Sequence, residues 1–137
     1  MLPLRHARAW WVLSVLLMIF VVIAAVTPAF WFFDSKAKAI SWFQNIDKVL
    51  HATTFTVLAV WFGGLYSRHA YWLIAAGLMM FGGFLELLQY QIGYRSADWA
   101  DVGANTVGII IGLTVSVAGL GGWGQRIEDW YSRRNQL

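Results

Sequence analysis

The sequence predicts an all-α integral membrane protein with four transmembrane helices. Of its 137 residues, 59% are hydrophobic and only 12% are charged, whereas a soluble domain usually carries about 25% charged residues. A spanning helix needs about 20 mainly apolar residues, and four stretches meet this condition: 9–33, 48–66, 70–92 and 102–120. We therefore expect residues 1–137 to form a single membrane domain with short connections.

The first apolar stretch has some features of a signal peptide, because Arg5 and Arg8 precede it. It is longer than the usual signal core of about 7–15 residues, however. It also runs into Pro28 and a group of aromatic residues rather than a small-residue cleavage site. We expect it to be retained as the first transmembrane helix.

Two more polar segments have the composition of helices that lie along a membrane surface. Residues 34–47 mix charges with large apolar side chains. Residues 122–134 place large apolar side chains at helical spacing, with charged residues, Glu128 among them, at the other positions. Interfacial helices are expected in both segments, although a partly ordered tail is an equally good interpretation of the second.

The positive residues indicate the orientation. Six of the ten Lys and Arg residues fall in the N-terminus, the second connection and the C-terminus, and four fall in the first and third connections. Cytoplasmic segments carry the excess of Lys and Arg, so both termini are expected in the cytoplasm. Because these residues form no basic run or basic-aromatic ladder, no nucleic acid is expected as a partner.

Small residues recur inside the predicted spans, and the clearest series is Ala104, Gly108 and Gly112 at four-residue steps. Lipid provides little hydrophobic drive for helices to associate, so close approach through small residues supplies much of the contact. We interpret these residues as packing positions.

The polar residues of three spans converge on one end of the predicted bundle, the extracytoplasmic end in the expected orientation. They form short stripes at i, i+3 or i+4 spacing, which places each set on one helical face. The second span contributes Asp47, Lys48 and His51, the third Glu86 and Gln89, and the fourth Asp98, Asp101 and Asn105.

Glu86 is the most unusual of these residues, since it lies about six residues, or roughly 9 Å, inside its span. An ionised carboxylate at the centre of an isolated span costs about 2.5–3.5 kcal/mol on insertion scales. Arg95 could fold back to pair with it, or His51 or Lys48 could approach from the second span. Alternatively, Glu86 stays protonated.

A purely structural interpretation competes with a functional one at several positions. Asp47 could cap the second span, while Asp98 caps the fourth and Asp101 lies favourably in its first turn. Asn105 is expected to form an interhelical hydrogen bond. Capping explains the carboxylates well and Arg95 poorly.

Acid/base chemistry is the chemistry most available if the protein is an enzyme, with Glu86 or Asp101 as base and His51 as acid or orienting group. One histidine among carboxylates is a poor zinc set and suits magnesium or calcium better, and no diagnostic metal spacing is present. No metal and no cofactor is therefore expected. The absence of cysteine excludes disulfides and thiolate chemistry.

Three separated motifs resemble the VanZ-like family of small bacterial membrane proteins, which is named for a teicoplanin-resistance protein. The motifs are Asp47-Lys48-x-x-His51, Glu86-x-x-Gln89 and Arg95-x-x-Asp98-x-x-Asp101-x-x-x-Asn105-x-x-Gly108. The resemblance implies a multi-pass protein of the bacterial inner membrane with a connection to glycopeptide susceptibility. It brings no settled biochemical mechanism.

Together, the motifs and their placement predict an outward-facing polar pocket that binds or acts on an amphipathic cell-envelope lipid or lipid-linked precursor. Arg95 and Lys48 would hold its head group, and Glu86, Asp101 and His51 would orient it or transfer protons. The remaining binding residues of the pocket would be Asp47, Gln89, Asp98 and Asn105. The alternatives are a structural or assembly subunit, in which the same residues lock the helices, and a transport component, which would need a homo-oligomer or a membrane partner subunit.

Overall fold

A computed structural model describes residues 1–27, 36–92 and 99–134, with side chains from residue 46 onward in the second range. These ranges contain no strand and five α-helices: α1 (Ala7–Val26), α2 (Lys36–Leu65), α3 (Tyr71–Ile92), α4 (Trp99–Val115) and α5 (Trp123–Arg134). A 3₁₀ turn, Arg68–Ala70, leads into α3, and a π-helical segment, Ser116–Leu120, follows α4.

Four helical segments are long and apolar enough to cross a membrane. They are Ala7–Val26, Ile46–Leu65, Arg68–Ile92 and Trp99–Arg134, the last of which includes the polar helix α5. The predicted all-α membrane fold is thereby confirmed. In the first connection, α2 already begins at Lys36 and continues without a break into the second span.

Helix α2 is the centre of the bundle. Its side chains Phe55, Leu58 and Ala59 are almost completely inaccessible, and they pack with buried residues of α1, α3 and α4. Burying apolar side chains against each other fixes how the helices face one another, because protein interiors are packed as densely as organic crystals. The contributions of the other three helices to this core are Val21, Leu78, Leu85 and Ile109.

Helices α2 and α4 approach most closely, through two glycines of α4. A Cβ atom at Gly108 would overlap the carbonyl oxygen of Ala52, and one at Gly112 would overlap that of Thr56. The Thr56 hydroxyl lies between the two helices, within 2.8 Å of the Ala52 oxygen and 3.1 Å of the Gly108 oxygen. The packing predicted for Gly108 and Gly112 is therefore present in the structure.

Helix α1 is the most exposed of the four spans. Only Ser14 and Val21 of its twenty residues are buried. Large apolar side chains such as Trp11, Leu16 and Phe20 remain exposed along it, as expected for a helix whose outer surface contacts lipid tails.

The chain turns after the fourth span, where Gly122 has a positive φ of 72° that only glycine adopts without strain. Helix α5 then packs against the end of α2. The Trp123 indole lies against Gly64 and donates a hydrogen bond to the Val60 carbonyl at 3.1 Å. Three tryptophans, Trp10, Trp61 and Trp123, form edge-to-face contacts at this end of the bundle.

Candidate functional site

Six side chains from α2, α3 and α4 meet at the end of the bundle opposite α5. We call them the polar cluster: Asp47, Lys48, His51, Glu86, Asp101 and Asn105. Five of the six are buried, each with at most 9% of its surface exposed. The exception is Lys48, whose side chain is about half exposed, at 48%. The structure thus brings polar residues of three spans together at one end of the bundle, as the sequence predicts.

His51 is the centre of the cluster, because it contacts three other members. Its Nδ1 lies 2.8 Å from the Oδ1 of Asn105 on α4 and 3.8 Å from the Oε1 of Glu86 on α3. Its Nε2 lies 3.6 Å from the Oδ1 of Asp47, one turn earlier on α2. The imidazole therefore links all three helices.

Asn105 owes its position to a glycine on the facing helix. Gly82 of α3 is so close that a Cβ atom there would lie 2.9 Å from the Nδ2 of Asn105 and 3.1 Å from the Phe55 ring. The amide consequently has room to reach across to His51, and it forms the interhelical hydrogen bond that we expected of it.

Asp101 and Lys48 form the edge of the cluster. Asp101 lies in the first turn of α4 and is 3% exposed, and its Oδ1 is 3.9 Å from the Lys48 ammonium. The lysine is the more exposed partner of this pair, at 48% of its side-chain surface against 4% for Asp101.

Gln89 shares a face of α3 with Glu86 but makes a different contact. Its Nε2 donates a hydrogen bond to the Ala25 carbonyl at 3.0 Å. This carbonyl belongs to the last turn of α1, where no i+4 donor within the helix is available. Gln89 therefore fastens the end of α1 to α3.

Two of the residues predicted for the site, Arg95 and Asp98, lie outside the described residues, as does Gly93. The expected pairing of Arg95 with Glu86 and the capping role of Asp98 stay predictions.

Three cluster residues have the geometry of a ligand set. One ligand atom each from Asp47, His51 and Asp101 can be chosen so that all three lie within 4.8 Å of one another. No spacing in the sequence indicated this, since Asp101 is fifty residues from His51 and is brought to it only by the close packing of α2 on α4.

Another buried carboxylate, Glu128, lies at the other end of the bundle. In the sequence it falls among the charged positions of the tail. Glu128 of α5 is 7% exposed. It accepts hydrogen bonds from the backbone N–H groups of Arg5 and His6, at 2.6 and 2.9 Å, and from the Trp10 indole at 2.8 Å. It thereby satisfies donors at the start of α1 that would otherwise lack partners.

The environment of Glu128 sets its charge. Burial alone would raise the pKa of the carboxyl group, but the hydrogen bonds from the His6 and Arg5 backbone and from Trp10 outweigh it and lower the pKa below the ordinary value of 4.5. Glu128 is therefore ionised at neutral pH, which also suits a carboxylate at a helix N-terminus. The only sequence signal was an acidic residue inside an amphipathic tail, which does not reveal a buried role.

An apolar groove of about 390 Å³ runs between α1 and α2. Its walls include Trp11, Met18, Ile23 and Phe62, and no polar cluster residue lines it. The groove belongs to the lipid-facing side of α1 and is separate from the polar site.

The helices and the buried cluster between them define a multi-pass α-helical membrane protein with a polar site at one end of its bundle. A sequence profile of the VanZ/LLP1 family matches residues 4–119, and the chain belongs to this family. The match includes every residue of the polar cluster. Neither the curated proteins nor the solved structures contain a significant match to the chain.

Proposed function

We propose that this protein binds, at the outer surface of a bacterial inner membrane, the anionic head group of an amphipathic cell-envelope lipid or lipid-linked precursor. The observation that carries the proposal is the placement of Lys48. The half-exposed Lys48 side chain lies at the edge of the buried cluster, with its ammonium 3.9 Å from the Asp101 carboxylate, where a head group at the membrane surface would meet it first.

The burial of the cluster supports a binding role. Five polar side chains with at most 9% exposure are expensive to place inside a membrane bundle, where ionisable residues mark ligand or ion pathways more often than packing. A head group at the interface would contact Lys48 directly, while its tail stays among the lipids.

The same groups offer proton transfer if the bound molecule is also transformed. His51 lies 3.6 Å from Asp47 and 3.8 Å from Glu86, which is close enough for an acid/base pair to tighten around a substrate. Glu86, His51 and Asp101 would then be the catalytic residues.

A structural lock is the competing hypothesis, and one observation favours it. The hydrogen bond between His51 and Asn105 joins α2 to α4 at 2.8 Å and would stabilise the bundle without any ligand. Replacing Glu86 with Gln separates the two hypotheses. A binding site predicts loss of lipid binding with an unchanged melting temperature, whereas a lock predicts a lower melting temperature in detergent.

The direct test measures binding of a polyprenyl monophosphate to the purified protein in nanodiscs, with the matching polyprenol as a neutral probe. We expect the phosphate to bind at least tenfold more tightly than the alcohol. Lys48→Gln should remove this preference, because it removes the exposed cation. Arg133→Gln is the matched control, since Arg133 is an exposed cation on α5 at the other end of the bundle. Equal affinity for both probes would contradict the proposal.

The proposed orientation and the cellular role are tested separately. A reporter fused after Leu137 should be active only in the cytoplasm, and periplasmic activity would reverse the orientation. Removing the protein from its bacterium should alter susceptibility to teicoplanin, and only a chain with an intact Lys48 should restore it.

A further inference from the structure

We propose that Asp47, His51 and Asp101 form a binding site for one divalent cation of the Mn²⁺ and Mg²⁺ class. This inference reverses the expectation of no metal, which was based on sequence spacing alone. It deepens the proposed function, since the cation would lie beside the head group, but the evidence for it is independent of any lipid.

The first argument is the tautomer of His51. The Oδ1 of Asn105 can only accept a hydrogen bond, so the His51 nitrogen 2.8 Å away, Nδ1, must donate one. In a neutral imidazole the proton is then on Nδ1, and Nε2 carries a lone pair.

That lone pair faces a carboxylate. The Nε2 of His51 is 3.6 Å from the Oδ1 of Asp47, and His51 itself is 91% buried, with 9% of its surface exposed. Two electron-rich atoms at this distance repel each other unless a proton or a cation lies between them. A metal ion bound to both atoms removes the repulsion.

The second argument is the arrangement behind the imidazole. A metal-binding histidine almost always donates its other ring N–H to an oxygen, which fixes its orientation and tautomer. The Nδ1 of His51 has this contact with Asn105 and has the Glu86 carboxylate 3.8 Å away. Asn105 and Glu86 are thus the orienting residues of the proposed site.

The third argument is the distance between ligand atoms. In an octahedral site with bonds of about 2.1 Å, neighbouring ligand atoms are about 3 Å apart and opposite ones about 4.2 Å. The atoms of Asp47, His51 and Asp101 lie within 4.8 Å of one another, so small side-chain rotations suffice to close them around one ion.

The ligand types select the ion. Carboxylates suit magnesium, calcium and manganese, and imidazole adds affinity for ions later in the first transition series. One imidazole and two carboxylates therefore favour Mn²⁺ or Mg²⁺. Three protein ligands leave three positions of an octahedron for water or for oxygens of an anionic head group.

The test uses Mn²⁺ alone, with chelator-treated protein in detergent and no added lipid. We expect one Mn²⁺ per chain by isothermal titration, with binding at least tenfold weaker in Asp101→Asn and in His51→Gln. The matched controls are Asp129→Asn and His69→Gln, which change an exposed carboxylate and an exposed histidine at the far end of the bundle. Binding of Mn²⁺ that is equal in all five proteins would overturn the proposal.

A spectroscopic readout on the unaltered protein keeps the test decisive if a variant fails to fold. Pulsed electron paramagnetic resonance of bound Mn²⁺ should show coupling to one imidazole nitrogen, and a spectrum without nitrogen coupling would contradict the site. Polyprenyl phosphate binding that is identical with and without chelator would overturn a metal beside the head group while leaving the lipid proposal standing. Mn²⁺ binding by a protein that binds no polyprenyl phosphate would overturn the lipid proposal while leaving the metal site standing.

Discussion

The Nδ1 of His51 donates a hydrogen bond to the Oδ1 of Asn105 across the interface of α2 and α4, at 2.8 Å. Both side chains are buried, and Gly82 on α3 leaves the space that the amide needs. One contact therefore fixes both the tautomer of the central histidine and the packing of two spans.

Replacing Asn105 with Leu should destabilise the protein and leave the His51 proton no longer restricted to Nδ1. The lost interhelical hydrogen bond and the unsatisfied Nδ1–H together cost about 1–2 kcal/mol. Selective ¹⁵N-histidine labelling should show His51 with its proton on Nδ1 in the unaltered chain and a mixture of forms in the variant. The exposed His69 provides the reference signal. A proton on Nε2 in the unaltered chain would contradict the assignment.

Gly108→Ala should weaken the contact between α2 and α4. The new Cβ would overlap the Ala52 carbonyl oxygen, and backbone cannot move aside as a side chain can, so we expect a loss of about 1–3 kcal/mol. Gly103→Ala is the matched control, because it changes a glycine of the same helix with nothing within 4 Å of the added atom. Thermal unfolding in detergent should show a lower midpoint for Gly108→Ala only. Equal midpoints would contradict the close contact of Gly108 with the Ala52 carbonyl.

The contact between α1 and α5 should be lost at low pH, when Glu128 becomes protonated. The pKa of Glu128 is lower in the folded protein than its ordinary value of 4.5, so its stabilising effect is complete above that value and is lost as the pH falls through the folded-state pKa. Tryptophan fluorescence follows the change, because the Trp10 indole donates a hydrogen bond to Glu128 and makes an edge-to-face contact with Trp123.

Glu128→Gln tests the same contact at neutral pH. Loss of the charge weakens several hydrogen bonds, each of which contributes about 1.5–3 kcal/mol when one partner is ionised. We expect the variant to resemble the acid form at pH 7 and to show no further transition as the pH falls below 4.5, the ordinary pKa of the carboxyl group. Asp129→Asn, an exposed neighbour, should behave like the unaltered chain, and an identical acid transition in both variants would assign it to another group.

The fold was predictable because its causes are local. Spans follow from apolar runs, and a packing face on α4 follows from small residues at four-residue steps, although these do not say that α2 is the helix packed against it. The convergence of Asp47, Glu86 and Asp101 on one end was also predictable, because successive spans run in opposite directions. The start of the second span, the end of the third and the start of the fourth therefore lie on the same side of the membrane.

What could not be predicted depends on helix rotation and on contacts between distant residues. Spacing placed Asp47 and His51 on one face and Asp101 at the same end of the bundle, but it could not say that one ligand atom from each would lie within 4.8 Å of the others. Glu128 had the sequence environment of an exposed residue, because its partners Arg5, His6 and Trp10 lie at least 118 positions away. Gln89 likewise found its partner, Ala25, in a helix that carries none of the family motifs.

Helix α1 is fastened at its two extremities, by Glu128 at its start and by Gln89 at its end, and little of it is buried between them. The length of the helix, about 30 Å for twenty residues, therefore sets the distance between these two contacts. One residue inserted into its exposed middle would rotate one half by about 100° and lengthen the rod by about 1.5 Å. The two fastenings could then no longer be made together, and the protein would have to release the one that holds less strongly.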